Sequence, residues 1–371
     1  MRPYLFLKAF ILCVFTTLST ARAEDLHFLI MPSVILGSIS PYVYGLNDQN
    51  PAGLNVTVRR LGGNRMTGYN WTNNASNAGS DWHQTSDDWL CAQYAGDVDC
   101  GKPGALVLHF VEQNQAAGLA SLITLPMAGY VAADKNGVVT QDQTAPSIRW
   151  DKVRPRKGSP FTLNPNPRSR TIYDDEFVHF LTTHFHHAAQ GGVAFYALDN
   201  EPSLWPTTHP RIHPAQTTYQ EIVKKSEALA DAVHRVDPSA LIFGPVLYGW
   251  QALLNLQKAP DSAEFNKTYV TFMDYYLDQM AAWGKKTGHP AVQVLDLHWY
   301  PEAMGGGKRI TLGDTSPGSV EARLQAPRSL WDPGYVEKSW ITQSSTQGAA
   351  IQLIPWLQAK IDRHDPGTRL A

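Results

Sequence analysis

The stretch VAFYALDNEPSLWPTTHP runs from Val193 to Pro210. Its first six residues are all apolar, as in a strand buried on both faces. Asp199-Asn200-Glu201-Pro202 then ends the strand, because Pro202 offers no backbone N–H to a neighbour. Five more runs read the same way: PYVYGLN (41–47), VTVRRLGGN (56–64), LASLITLPM (119–127), ALIFGPVLYGW (240–250) and VQVLDLHWY (292–300). Helical stretches intervene at 106–117, 174–192, 214–238 and 266–283. The second opens on Asp174-Asp175-Glu176 and closes on Gly191-Gly192, and the third stops at Pro238, as helix ends do. Strands of this kind alternating with helices predict an α/β fold with a parallel sheet, most simply a (β/α)8 TIM barrel. QGAAIQLIPWLQAKIDRHDPGTRLA (347–371) adds a helix, a turn at Asp365-Pro366-Gly367 and the first two residues of another strand. The expected barrel is therefore incomplete, with strands one to six and the start of a seventh.

The bulk properties narrow the partners. With 371 residues, 17% of them charged and a net charge of −2, the chain can bury a large core and has no basic excess to imply nucleic acid. Its first 23 residues carry Arg2 and Lys8, an apolar run from Ala9 to Leu18, and Ala21-Arg22-Ala23 before Glu24. That order reads as a secretory signal peptide, so a secreted protein, extracellular or periplasmic, is expected. No later segment is long and apolar enough to suggest a membrane span, and a monomer is expected. Cys13 falls in the leader, leaving Cys91 and Cys100. Two nearby cysteines in an exported chain suggest one disulfide, worth about 2–3 kcal/mol, with two free thiols as the alternative.

Glu201 stands at the C-terminal end of the fourth strand, where barrel proteins build their sites. A carboxyl group so placed can protonate a leaving oxygen, and Asn200 beside it can hydrogen-bond a sugar hydroxyl. Asn-Glu-Pro alone also fits a surface acid at a strand–loop junction. The surroundings favour a binding cleft. Trp71, Trp82 and Trp89 lie in the loop after the second strand, and Trp205, Trp299 and Tyr300 follow the fourth and sixth. Sugar rings stack their apolar faces on such aromatics.

Four segments make the likeness specific: RRLGGNRMTGYNWTNNASNAGSDW (59–82), FYALDNEPSLWPTTHPRIHP (195–214), DLHWYPEA (296–303) and SLWDPGYVEKSW (329–340). Together and in this order they resemble glycoside hydrolase family 44, across nearly the whole mature chain. The resemblance implies a retaining endo-β-1,4-glucanase or xyloglucanase (EC 3.2.1.-) on a (β/α)8 barrel, with an accessory β-sandwich to which residues 24–40 contribute a strand. The barrel itself would then occupy 41–371. It also implies Glu201 as acid/base, Asn200 as the amide on the 2-hydroxyl, and Tyr300 near the nucleophile. Asn64, Arg65, Trp82 and Trp89 fall where the family binds glucan, and Trp205, His209 and Trp299 are read as further sugar contacts. The family's nucleophile is a Glu at the end of the seventh strand. The chain reaches Leu370-Ala371 as that strand begins, so the second carboxylate is expected outside it, and this chain alone is expected to show little hydrolysis. Glu302, Glu321 and Glu337 are the candidates within it, but Glu302 follows the sixth strand, the wrong place for a retaining pair.

Other motifs imply less. HFHH (184–187) puts two histidines one turn apart but lacks a third ligand, so no metal site is expected. No cofactor is expected either; a structural calcium is conceivable but not assigned. Asn136-Gly137 reads as a hairpin turn. Asn55, Asn70, Asn74 and Asn266 sit in N-x-[ST] sequons. The residues leave open an endo-hydrolase of xylan, mannan or mixed-linkage glucan, and a non-catalytic carbohydrate-binding protein that keeps the cleft.

Overall fold

The computed structural model describes residues 29, 31–34, 39–47, 53–93, 98–166, 168–346 and 348–371. The expected leader, 1–23, lies outside the described residues, as does most of the expected sandwich strand at 24–40. Two compact units divide between Ser40 and Pro41. The second, Pro41–Ala371, carries everything that follows.

Its sheet has seven strands: β1 (Gly45–Leu46), β2 (Val58–Leu61), β3 (Ala120–Leu125), β4 (Phe195–Leu198), β5 (Leu241–Tyr248), β6 (Val294–His298) and β7 (Arg369–Leu370). Each pairs in parallel with its chain neighbour, so spatial order equals sequence order. That order is the winding of a singly wound barrel. Among the described residues β1 and β7 do not pair with one another, and the fold is an incomplete (β/α)8 barrel.

Alternation along β4 explains its unbroken apolar run. Phe195 and Ala197 face the barrel interior with Leu122 of β3 and Val246 of β5. Tyr196 and Leu198 face the other way, into the larger core shared with the helices. Those helices are α1 (Ala105–Ala116), α2 (Asp174–Phe185), α3 (Tyr219–Val236), α4 (Phe272–Thr287) and α5 (Leu353–His364). Three acids in the first turn of α2 complement its N-terminal dipole. Thr218 caps α3 by accepting from the Glu221 N–H at 3.1 Å.

Several helix boundaries differ from the sequence reading, and α3 opens at Tyr219, behind its Thr218 cap, not at 214. α4 starts at Phe272, not at 266, because Thr271 and Asp274 form a reciprocal capping box there. α2 ends at Phe185, well before the glycine pair, where His186 takes a φ of 69°. Asn136-Gly137 is not a hairpin turn. Gly137–Val138 pairs with Thr85–Ser86 of the preceding excursion, while Tyr130–Ala132 pairs with Trp150–Lys152. Asn70 and Asn74 are fully buried, so their sequons are closed to glycan in the folded protein.

Candidate active site

The chain leaves β4 through two non-glycine residues in the left-handed region, Asp199 (φ 65°) and Glu201 (φ 46°). Such backbone persists only where its surroundings fix it. The Asp199 N–H donates to the Leu125 carbonyl (3.0 Å) and the Glu201 N–H to the Val246 carbonyl (2.9 Å), so β3 and β5 grip the turn from both sides. The Asp199 carboxylate is fully buried. It accepts from the Thr67 hydroxyl and from the N–H groups of Met127, Ala128 and Asn200, the last two at 3.0 and 2.7 Å. Burial pushes its pKa up, and these donors oppose the rise.

Glu201 is thereby turned toward the end of β6. Its Oε1 lies 2.6 Å from His298 Nδ1, and the residue is 8% exposed. Asn200 is clamped at both ends of its amide. Its Oδ1 accepts from Arg60 Nη2 at 2.9 Å and its Nδ2 donates to Asn64 Oδ1 at 3.0 Å. Asn64 Nδ2 in turn donates to both oxygens of Asp81 at 3.0 Å. Burial lowers the Arg60 pKa, while Asp296, Glu201, Tyr300 and Asp199 draw it back up. Asp296 is buried beneath them, its own pKa raised by desolvation against the pull of Arg60 and His298. Arg60 thus feels Asp296, Glu201 and Asp199 while its guanidinium is bonded to Asn200.

Tyr300 is 46% exposed at the mouth of this cluster, its ring 5.3 Å from that of Tyr248. Burial and nearby Glu201 raise the phenol's pKa. A pocket of about 120 Å³ opens beside the two tyrosines, lined also by Trp250, Gln257, Glu302 and Trp340. On the other side stand two exposed indoles, Trp82 (61%) and Trp89 (47%). The Arg65 guanidinium covers Trp89 at 4.8 Å and is itself held by a bidentate contact to Asp87. A bond between Cys91 and Cys100 (S–S 2.06 Å) ties down the segment just after Trp89.

Three expected sugar contacts are placed otherwise. Trp205 and His209 are each 0% exposed. Trp205 lies in a short helix (Trp205–Thr208), with Lys225 Nζ 4.8 Å over its ring, and belongs to the core. His209, just after that helix, is walled in by neighbouring turns. Trp299 is half-buried and packs edge-on against Trp250. Strand alternation carries to the end of β6: His298, its last residue, faces the site, and Trp299 just after it packs against the core shared with the helices.

The same alternation would have found what the sequence reading missed. Asp296 and His298 stand two apart on β6, in step with Tyr300, which the sequence did single out. Arg59 and Arg60 are adjacent, hence on opposite faces of β2. Arg59 goes outward to Asn114 Oδ1 (2.8 Å) and Arg60 inward to Asn200. Of the other carboxylates considered, Glu302 pairs with Arg309 (2.6 Å), Glu321 accepts from Gln325, and Glu337 is buried on Ser329. None is a partner of Glu201. In the HFHH run, His184 is bonded to the Phe180 carbonyl and His187 lies 3.4 Å from Asp237. Among the described residues, no group of three or more potential ligands could hold a metal ion.

A family model, glycoside hydrolase family 44, matches residues 75–303. Endoglucanase A of Paenibacillus lautus is 49% identical over 95% of this chain, which covers 50% of that protein. A family 44 xyloglucanase of Paenibacillus polymyxa superposes over 90% of this chain and 66% of its own (TM-score 0.86, 50% identity), and it has also been solved with xyloglucan. A family 44 endoglucanase from Clostridium thermocellum covers 90% and 65% respectively (TM-score 0.85, 47% identity). The chain thus spans about half of that curated relative and about two thirds of these solved ones.

Proposed function

The chain belongs to glycoside hydrolase family 44, and from that premise we propose that it forms the larger part of a secreted, retaining endo-β-1,4-glucanase acting on cellulose- or xyloglucan-type polymers. The observation that carries the reading is the Glu201 carboxyl at the strand rim, bonded to His298 and flanked by a doubly clamped Asn200. Glu201 protonates the departing oxygen as an attacking carboxylate reaches the anomeric carbon, then takes a proton from the water that releases the sugar. Asn200 keeps one N–H free of the contacts described, suited to the 2-hydroxyl. Tyr300 stands at the mouth, where it orients the nucleophile. Trp82 and Trp89 supply stacking faces, with Arg65 behind Trp89 and Asn64 behind Asn200.

We assign the nucleophile to the seventh strand beyond Ala371, in the part of the relatives that this chain does not span. Neither Arg369 nor Leu370 can serve. The leader at 1–23 supports export.

The test uses the complete gene product on β-glucan, xyloglucan, xylan and mannan. Glu201→Gln is expected to lower kcat about 10²- to 10⁴-fold and to leave retardation in xyloglucan gels unchanged. Equal kcat in the variant would remove Glu201 from the chemistry. Faster turnover of xylan or mannan than of glucan would shift the substrate. Binding without hydrolysis by the complete product would favour a carbohydrate-binding protein.

A further inference from the structure

His209 is a buried imidazole that no sugar can touch, eight residues beyond Glu201. Its backbone is fixed on every side. Its N–H donates to the Trp205 carbonyl (2.8 Å), and its carbonyl accepts from Ile212 and His213 (both 2.9 Å). Its ring lies against the turn Gly79–Trp82, which carries Asp81 and Trp82. A Cβ placed on Gly79 would sit 2.8 Å from the imidazole Cε1 and Nδ1 and 2.3 Å from the Thr208 carbonyl. Gly79 also has a φ of 55°, so both space and backbone admit only glycine there.

The ring serves a second turn as well. Neither ring nitrogen has a hydrogen-bond partner. Burial drives its pKa down to about 4, and the Asn64 backbone alone draws it back up. Asn64 opens the short helix Asn64–Thr67 and carries the side chain bonded to Asn200 and Asp81. The imidazole therefore packs between the segment descending from Glu201 and the Gly79–Trp82 turn, whose Asp81 accepts from Asn64.

We propose that His209 is a positioning residue, a buried wedge that sets the Asn64 turn and the Trp82 turn in register with Glu201. It acts through Asn64 on the Asn200 amide and through Gly79 on the Trp82 platform. The proposal rests on the reading that Asn200 and Trp82 serve the substrate.

The complete gene product tests it through a double-mutant cycle. His209→Ala, assayed well below its melting temperature, is expected to lower kcat/KM on β-glucan about 10- to 100-fold, the scale of a sub-ångström misplacement. In an Asn64→Ala background the same substitution is expected to cost at least about threefold less, and in an Asn64→Ala, Trp82→Ala background less than about twofold. A folded His209→Ala with unchanged kcat/KM, or with a full loss in both backgrounds, would overturn the proposal. Should His209→Ala fail to fold, His209→Gln keeps the volume and a polar tip. A smaller loss, again erased when both Asn64 and Trp82 are replaced by Ala, is then expected, and unchanged kcat/KM would overturn it. Xyloglucan gel retardation of the same variants needs no hydrolysis. His209→Ala is expected to weaken binding only where Trp82 is present, which separates failure of this proposal from failure of the glucanase reading.

Discussion

The strand rim and the aromatic wall are built on opposite principles. At the rim, Arg60, Asn200, Glu201 and His298 come from β2, β4 and β6 or their ends, lie mostly buried, and hold one another by charge and hydrogen bond. On the wall, Trp82 and Trp89 come from one excursion after β2 and leave 61% and 47% of their surface open. What anchors the wall sits behind it: Arg65 on Asp87, the Cys91–Cys100 bond, and Asn64 on Asp81. Groups that exchange protons must be placed to a fraction of an ångström, and packed strands supply that. Ring faces that meet a polymer can tolerate adjustment, and loops supply that.

Substitutions at the two regions should therefore differ in kind. Among the groups around Glu201, Asn200→Ala at the rim is expected to cost the most, about 10²- to 10³-fold in kcat, as for loss of a donor aimed at the transition state. It also strands the buried Arg60 guanidinium. Steady-state kinetics on a soluble glucan measures it; a change in KM alone would move Asn200 to the wall's side of the comparison.

Next comes the pH dependence of the wedge between the regions. The folded pKa of His209, about 4, lies below its ordinary 6.5. The unfolded chain takes up a proton in that window and the folded chain does not. His209's contribution is thus complete above about pH 6.5 and falls by about 3 kcal/mol as pH drops to 4. Glu221, held near 2 with His213 and Lys225 opposing its burial, acts only lower, between 4.5 and about 2. Asp199 and Asp296, raised by burial, act with the opposite sign. Comparing His209→Gln with its parent by urea unfolding cancels those terms, and the variant is expected to lose less stability on acidification.

Removing the disulfide with Cys91→Ala and Cys100→Ala is expected to cost about 2–3 kcal/mol of stability, with kcat retained. Thermal unfolding and kinetics together check this; loss of kcat would mean the wall reaches the chemistry. The smallest effect is expected from Trp89→Ala, a rise in KM of about three- to tenfold from lost stacking, with kcat held.

The two regions also differed in how far the sequence revealed them. The seven strands and the five long helices of the barrel were legible, because two-sided burial writes itself as an unbroken apolar run such as VAFYAL, whereas the shorter helices Gly249–Asn255 and Pro317–Gln325 were not read. Glu201 and Asn200 were legible because they end such a run. His298 and Arg60 were not assigned, although counting by two along β6 and β2 would have placed them. Trp205 and His209 stand near Glu201 in sequence yet are buried, because proximity along the chain says nothing about which way a short helix turns its side chains. The brace Asn64–Asp81 and the cover of Arg65 on Trp89 span 17 and 24 residues within an irregular excursion, where no period links the partners.

The most direct measurement addresses Glu201 as the proton donor. Glu201→Ala in the complete gene product is assayed on aryl cello-oligosides of good and poor leaving groups, with and without azide. With the acid removed, hydrolysis should fail for poor leaving groups and survive far better for good ones, and azide should speed turnover and yield a glycosyl azide of retained configuration. Equal loss on both substrates, with no azide product, would contradict the assignment.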